Sequence, residues 1–301
     1  MAVPSDVVEL VDPARPALVG TGPRPLRTTI WRPAPPAREG APVALLSHGT
    51  GGSAVGLAWL AEALAEAGWA VVGVDHHGNT AAVPPYVAEG FARWWERPLD
   101  LSRALDQLLA GAAGPQVAAL LDPGRVAAVG FSLGGWTAAA LVGGRVWRPV
   151  YEAAARGLVT LPSTPEYPDL VDELLARYGD DPEPLLAGCD DDVSDPRVGA
   201  AVLLCPSLAA VLDPASLAAV GRPVTVLSAG NDDQAPADVD AATYAALIPA
   251  AVHRSLGADV GHYDLLDAAT PQDRTAVHRR AAAWTVEALA PLAGRAGVGA
   301  A

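Results

Sequence analysis

The chain of 301 residues has no lysine: all 20 of its basic residues are arginine, set against 34 acidic ones, for a formal net charge of −14. A net-acidic chain without a basic tract offers no footprint for a phosphate backbone, so no nucleic-acid partner is expected. There are two cysteines, Cys189 and Cys205. That excludes a disulfide framework and a cysteine-built zinc site, and both read as small buried hydrophobes. The N-terminus lacks a basic stretch followed by an apolar one, so no signal peptide is visible and a cytoplasmic location is the default expectation, with secretion open if the sequence is trimmed. One uncharged run of transmembrane length, Val126 to Gly144, carries five glycines. Glycine punctuation of that kind fits a buried strand, a tight turn and a buried helix better than a membrane span, so no integral membrane segment is expected. With 51% apolar and 18% charged residues, the chain is too hydrophobic to stay disordered. Its length suits one domain over 1–301.

What is present alternates. Apolar runs at Val43–Ser47, Trp69–Asp75, Val126–Phe131, Val198–Leu204 and Val224–Ser228 read as strands, with Leu26–Arg32 before them and Val252–Leu256 after. Helical spacing appears at Leu57, Leu60 and Leu64, at Leu101, Leu105 and Leu108, and from Arg274 to Leu292. Apolar strands alternating with helices predict an α/β fold, a mostly parallel sheet covered by helices on both faces. The stretch 145–197, rich in proline and acidic residues, breaks the rhythm and reads as an insertion over the sheet edge that could serve as a cap.

The sharpest motif is Gly130-Phe131-Ser132-Leu133-Gly134-Gly135, a G-x-S-x-G between a predicted strand and a predicted helix. Such a turn strains the serine backbone, and glycines two before and two after it remove side chains that would collide. Ser132 is thereby presented as a nucleophile at a helix N-terminus that favours developing negative charge. Upstream, Ser47-His48-Gly49-Thr50-Gly51-Gly52 follows another strand. Acyl transfer builds an oxyanion that needs donors already in place, and the backbone N–H groups of Leu133 and Thr50 are the candidates. A phosphate loop is the competing reading of this glycine stretch, but it needs a lysine that the chain does not have. His48 reads as bracing the loop rather than acting as a base.

These features resemble the α/β-hydrolase superfamily. Within it the chain is similar to the group of predicted dienelactone hydrolases, which also resemble platelet-activating-factor acetylhydrolases. The resemblance runs along most of the chain. It rests on the His48-Gly49 loop, Asp75-His76-His77-Gly78-Asn79-Thr80, Arg97-Pro98-Leu99-Asp100, the elbow at Ser132, Asp195-Pro196-Arg197 and Gly261-His262. It implies an α/β-hydrolase fold, a serine hydrolase acting on a small-molecule ester, and no cofactor. The His76–Asn79 stretch would then shape the pocket mouth. True dienelactone hydrolases carry a cysteine at the elbow where this chain has Ser132. The acetylhydrolases carry their acid just after the nucleophile strand, where Ala201–Pro206 offers no carboxylate.

A serine needs a histidine to take its proton and a carboxylate to fix that histidine's tautomer, in the chain order serine, acid, histidine. His253, His262 and His278 lie late enough. His253 falls in a predicted strand and His278 in a predicted helix, which favours His262 in its loop. For the acid, Asp232 and Asp233 compete in the loop after Val224–Ser228. The resemblance carries a proline four after the acid and another nine before it; both rulers give Asp232, whereas counting three from Gly230 gives Asp233, which stays the alternative. Asp75-His76-His77 lacks a third ligand at metal-binding spacing. Asp190-Asp191-Asp192 with Asp195 lacks the glycine and glutamate of a calcium loop and reads as a solvated segment. Trp94, Trp95 and Trp136 read as packing. The expectation is an esterase using Ser132, His262 and Asp232. A thioesterase, a peptidase or a ligand-binding relative without turnover are the alternatives.

Overall fold

The computed structural model describes residues 3, 5–34, 39–159, 164–266 and 274–294. Their strands are β1 (Ser5–Pro16), β2 (Pro23–Trp31), β3 (Ala41–Ser47), β4 (Ala70–Asp75), β5 (Leu121–Phe131), β6 (Val198–Leu204), β7 (Val224–Ser228) and β8 (Val252–Ser255). They form one sheet in the order β1-β2-β4-β3-β5-β6-β7-β8. The β1–β2 and β2–β4 pairs are antiparallel and the pairs from β4 onward are parallel.

The residue pattern explains this arrangement. Every residue of β3 and β4 is buried, as a strand covered on both faces requires. Successive side chains point to opposite faces. Val43 and Leu45 accordingly enter one apolar core while Ala44 and Leu46 enter the other. Helix Glu96–Leu109 and the helix after the elbow, Leu133–Leu141, cover the first face; helices Ala58–Glu66 and Thr275–Ala293 cover the second. The edge strand β1 instead alternates between exposed and buried positions. No helix of the described residues is long and apolar enough to cross a membrane. The uncharged run Val126–Gly144 is divided between β5 and helix Leu133–Leu141.

Parallel strands bring the loops at their carboxyl ends to one edge of the sheet, where binding crevices form. Here those loops begin at His48, His76, Ser132, Cys205, Ala229 and Leu256. The 145–197 stretch contributes helices Arg148–Ala155, Leu170–Tyr178 and Glu183–Leu186 in place of strands. Its residues Tyr151, Val159, Leu170, Leu174 and Leu185 roof the cavity over that edge. Residues 160–163 of the stretch lie outside the described residues.

Candidate active site

Ser132 sits between β5 and its helix with φ +57° and ψ −121°, in the left-handed region that a side chain rarely enters. The surrounding glycines are required by contact. A Cβ on Gly130 would lie 1.9 Å from the Gly134 carbonyl oxygen, and one on Gly134 would lie 2.0 Å from the Ser47 carbonyl oxygen. The elbow is therefore wedged directly against the end of β3. Ser132 and His262 both line a cavity of about 490 Å³. The His262 ring packs on Phe131, with centroids 4.7 Å apart.

His262 Nδ1 lies 2.7 Å from Asp232 Oδ2. The other oxygen of Asp232 accepts from the N–H groups of Gln234 (3.0 Å) and Ala235 (2.7 Å), which locks the carboxylate in place. Asp233, the sequence alternative, is exposed. The other late histidines are engaged elsewhere. His253 bonds to the Ser228 hydroxyl at 2.9 Å, and His278 stacks on Trp59 with Nε2 at the Asp264 carbonyl.

The glycine loop is held from behind. Gly49 C=O accepts from the Gly52 N–H (3.2 Å), from His48 Nδ1 (2.7 Å) and from the Arg97 guanidinium (3.3 Å). Arg97 also donates to His48 C=O at 2.9 Å. In a trans peptide the C=O and N–H point opposite ways. Pinning the Gly49 carbonyl therefore turns the Thr50 N–H away from Arg97. Among the described residues neither that N–H nor the Leu133 N–H donates a hydrogen bond, and both residues line the cavity.

His48 braces the loop, as expected. Its Nε2 accepts from the His76 N–H (3.1 Å), which leaves the proton on Nδ1. Burial, with Arg97 and His76 nearby, holds its pKa well below the usual imidazole range. Behind it runs a second buried chain: Ser47 Oγ to His76 Nε2 at 3.0 Å, His76 Nδ1 to Asp100 Oδ2 at 2.9 Å, and Asp100 to Arg15 at 2.6 Å. Burial lowers His76 to about 4 and Arg97 to about 9. Burial alone would raise Asp100, but Arg15, His76 and Arg24 hold it far below the carboxylate range.

Here the structure corrects the sequence reading. The stretch His76–Thr80 does not form the pocket mouth. His76, Asn79 and Thr80 are buried behind the glycine loop, where Asn79 Oδ1 accepts from the Gly51 N–H (2.6 Å) and the Thr80 hydroxyl donates to Gly52 C=O (2.9 Å). Asp195 likewise is not solvated: it is buried and pairs with Arg197 at 2.6 Å. Asp190 and Asp192 find neighbours too, the Arg148 guanidinium at 3.6 Å and the Ser194 N–H at 3.0 Å. Trp94, Trp95 and Trp136 are buried in the core, although Trp94 also reaches the cavity.

Both cysteines are buried and free. Cys205, at the end of β6 with φ +42°, is the neighbour the sequence did not reveal. Among the described residues its sulfur, a carboxylate oxygen of Asp232 and a ring nitrogen of His262 form the one set of potential metal ligands that lie within 4.8 Å of one another. Burial and the Asp232 charge push the thiol far above its ordinary pKa. The Asp232 oxygen facing His262 is already used by that ring. The trio therefore fits a protonated thiol packed on a histidine–aspartate pair better than a metal centre, which needs a thiolate.

No family model matches the chain, and no curated protein matches it. Among solved structures, a puromycin-hydrolysing peptidase from Mycobacterium tuberculosis matches with a TM-score of 0.60 and 14% identity, over 99% of this chain and 40% of that one. The chain has the α/β-hydrolase fold. It spans two fifths of the length of that peptidase.

Proposed function

We propose that this α/β-hydrolase-fold chain is a serine hydrolase that cleaves carboxylic esters through an acyl-enzyme. The observation that carries the reading is Ser132 at positive φ, sharing one cavity with His262, itself hydrogen-bonded to Asp232, and with the backbone N–H groups of Leu133 and Thr50, which have no partner among the described residues. In the reaction Ser132 Oγ attacks the carbonyl carbon as His262 takes its proton. Asp232 keeps the ring in the tautomer with its proton on Nδ1 and stabilises the imidazolium. The N–H groups of Leu133 and Thr50 receive the oxyanion. His262 then hands the proton to the leaving alcohol, and water clears the acyl group by the same steps.

Esters are favoured by the resemblance to the dienelactone hydrolase-like group, carried by the His48-Gly49 loop and by Arg97-Pro98-Leu99-Asp100. A second reading, amide hydrolysis, draws on the peptidase among the solved structures. The 145–197 stretch, as a cap over a single domain, would set the size of the acyl group admitted.

The test is hydrolysis of p-nitrophenyl esters from acetate to palmitate, beside matched thioester and anilide substrates, by wild type and by Ser132→Ala. Wild type should turn over esters faster than anilides. Ser132→Ala should retain only the small residual catalysis of binding and the oxyanion site. Full activity in Ser132→Ala, or an inert wild type, overturns the reading.

A further inference from the structure

The chain has 20 arginines, yet among the described residues none lines the cavity. The wall is mostly apolar, with leucines from the roofing helices, and its acidic side chains are Glu166 and Asp240. Asp240 is buried and accepts from the Ala209 N–H at 2.8 Å. Glu166 is different. Among the described residues no arginine or histidine pairs with it, and the Tyr263 hydroxyl donates to its carboxylate over a long 3.4 Å. Its stem lies over the glycine loop: a Cβ on Gly51 would come within 2.9 Å of Glu166 Cβ and Cγ. The same point is 3.2 Å from the Tyr86 hydroxyl, which donates to Gly51 C=O at 2.7 Å. Burial and the nearby Glu166 raise both phenols, Tyr263 to about 12.

A carboxylate here opposes the proposed chemistry unless something neutralises it. Gly51 directly follows Thr50, so the Glu166 stem lies beside the glycine loop, and its carboxylate, at the Tyr263 hydroxyl, adds negative charge to the cavity in which an oxyanion would form. Among the described residues no arginine lines the wall, and His262 is committed to Asp232, so the partner left for this carboxylate is a cation on the substrate. The direction follows from His262, which protonates the leaving oxygen: the leaving alcohol passes over His262 and reaches the adjacent Tyr263, whose ring stands edge-on to the imidazole with centroids 5.5 Å apart, and then Glu166. A carboxylate beside the Tyr263 phenol, both lining the cavity, suits an alkylammonium, which gains from charge and from an aromatic neighbour together.

We infer that Glu166, beside Tyr263, is a recognition site for a cationic ammonium group on the leaving alcohol, so that the substrates are amino-alcohol esters of apolar acids. The inference rests on the ester-hydrolase reading for the orientation of the substrate. It also implies that esters bearing a carboxylate on the alcohol are rejected, since the cavity offers them only like charge.

The experiment compares 2-(trimethylammonio)ethyl butyrate with 3,3-dimethylbutyl butyrate, which has the same shape without the charge, and with 2-carboxyethyl butyrate. Wild type should prefer the cation over its neutral isostere by about tenfold in kcat/KM. The anionic ester should be the poorest. The cation-to-neutral ratio should fall toward one in Glu166→Gln and shrink with added salt. A ratio near one in wild type, or one unchanged by Glu166→Gln, overturns the inference. Should wild type hydrolyse none of these esters, the functional reading fails, and calorimetric titration with the free trimethylammonio alcohol then decides the subsite alone. Binding that weakens in Glu166→Gln upholds it, and no binding rejects it.

Discussion

Asp232 Oδ2 lies 2.7 Å from His262 Nδ1, while Asp233, one residue on, faces solvent. The loop after β7 makes this choice through its own backbone. The N–H groups of Gln234 and Ala235 both converge on Asp232 Oδ1, leaving Oδ2 aimed at the ring. Asp232→Asn would keep the size of the side chain but lose the charge, and would favour the wrong imidazole tautomer. The expected outcome is a fall in kcat of about 10⁴-fold, with Asp233→Asn staying within a few-fold of wild type. Steady-state kinetics on the best p-nitrophenyl ester measures both. Equal losses in the two variants would remove Asp232 from its role.

Arg97 supports the second half of the proposed site from outside the cavity lining. It is buried, and it donates to the carbonyls of His48 and Gly49, whose peptide planes set the direction of the Thr50 N–H. Arg97→Met would remove one of the three hydrogen bonds on the Gly49 carbonyl and the one to the His48 carbonyl, loosening the Gly49–Thr50 peptide while Gly52 and His48 still hold it. Losing one oxyanion donor costs about 10²- to 10³-fold in kcat, so Arg97→Met should lose kcat by up to that amount with KM little changed. A boronic acid that mimics the tetrahedral intermediate should bind correspondingly more weakly. Circular dichroism and urea unfolding separate this from loss of the fold. A variant that stays folded with undiminished kcat and boronate affinity would show that the loop holds its donor without Arg97.

Much of this architecture is legible in the residues, and the parts that are not share a cause. Strands β3 to β7 announce themselves because strands buried on both faces carry continuous apolar runs, whereas β8 is a short exposed edge strand, Val252-His253-Arg254-Ser255; the elbow stands out because its glycines are forced by contacts as close as 1.9 Å. The choice of His262 rests on chain order and that of Asp232 on two proline rulers, and the structure sets these two 2.7 Å apart. Strand β1 escapes notice because its Asp12, Pro13 and Pro16 interrupt the apolar alternation and read as a loop, whereas an edge strand accommodates them. The buried chain Ser47–His76–Asp100–Arg15 draws on four separate segments. The sequence yields its motifs but not that they meet behind the glycine loop. Cys205 is the same case: nothing in Leu204-Cys205-Pro206 says that its sulfur faces Asp232 and His262.

That buried chain makes stability depend on pH. His76 has its pKa lowered from 6.5 to about 4, chiefly by burial, so the folded protein keeps it neutral where the unfolded chain protonates it. Between these two values the unfolded state binds more protons, and stability falls as pH drops through the window; above 6.5 the contribution is complete. One such group costs about 1.4 kcal/mol per pH unit. His48, buried and lowered in the same direction, adds to the slope. Urea unfolding at intervals from pH 7.5 down to 4.5 should therefore give a steadily falling unfolding free energy. His76→Asn should start from a lower stability and lose it more shallowly, by about one proton's worth. An unchanged slope in that variant would assign the acid sensitivity to other groups and leave His76 as a neutral hydrogen-bonding link between Ser47 and Asp100.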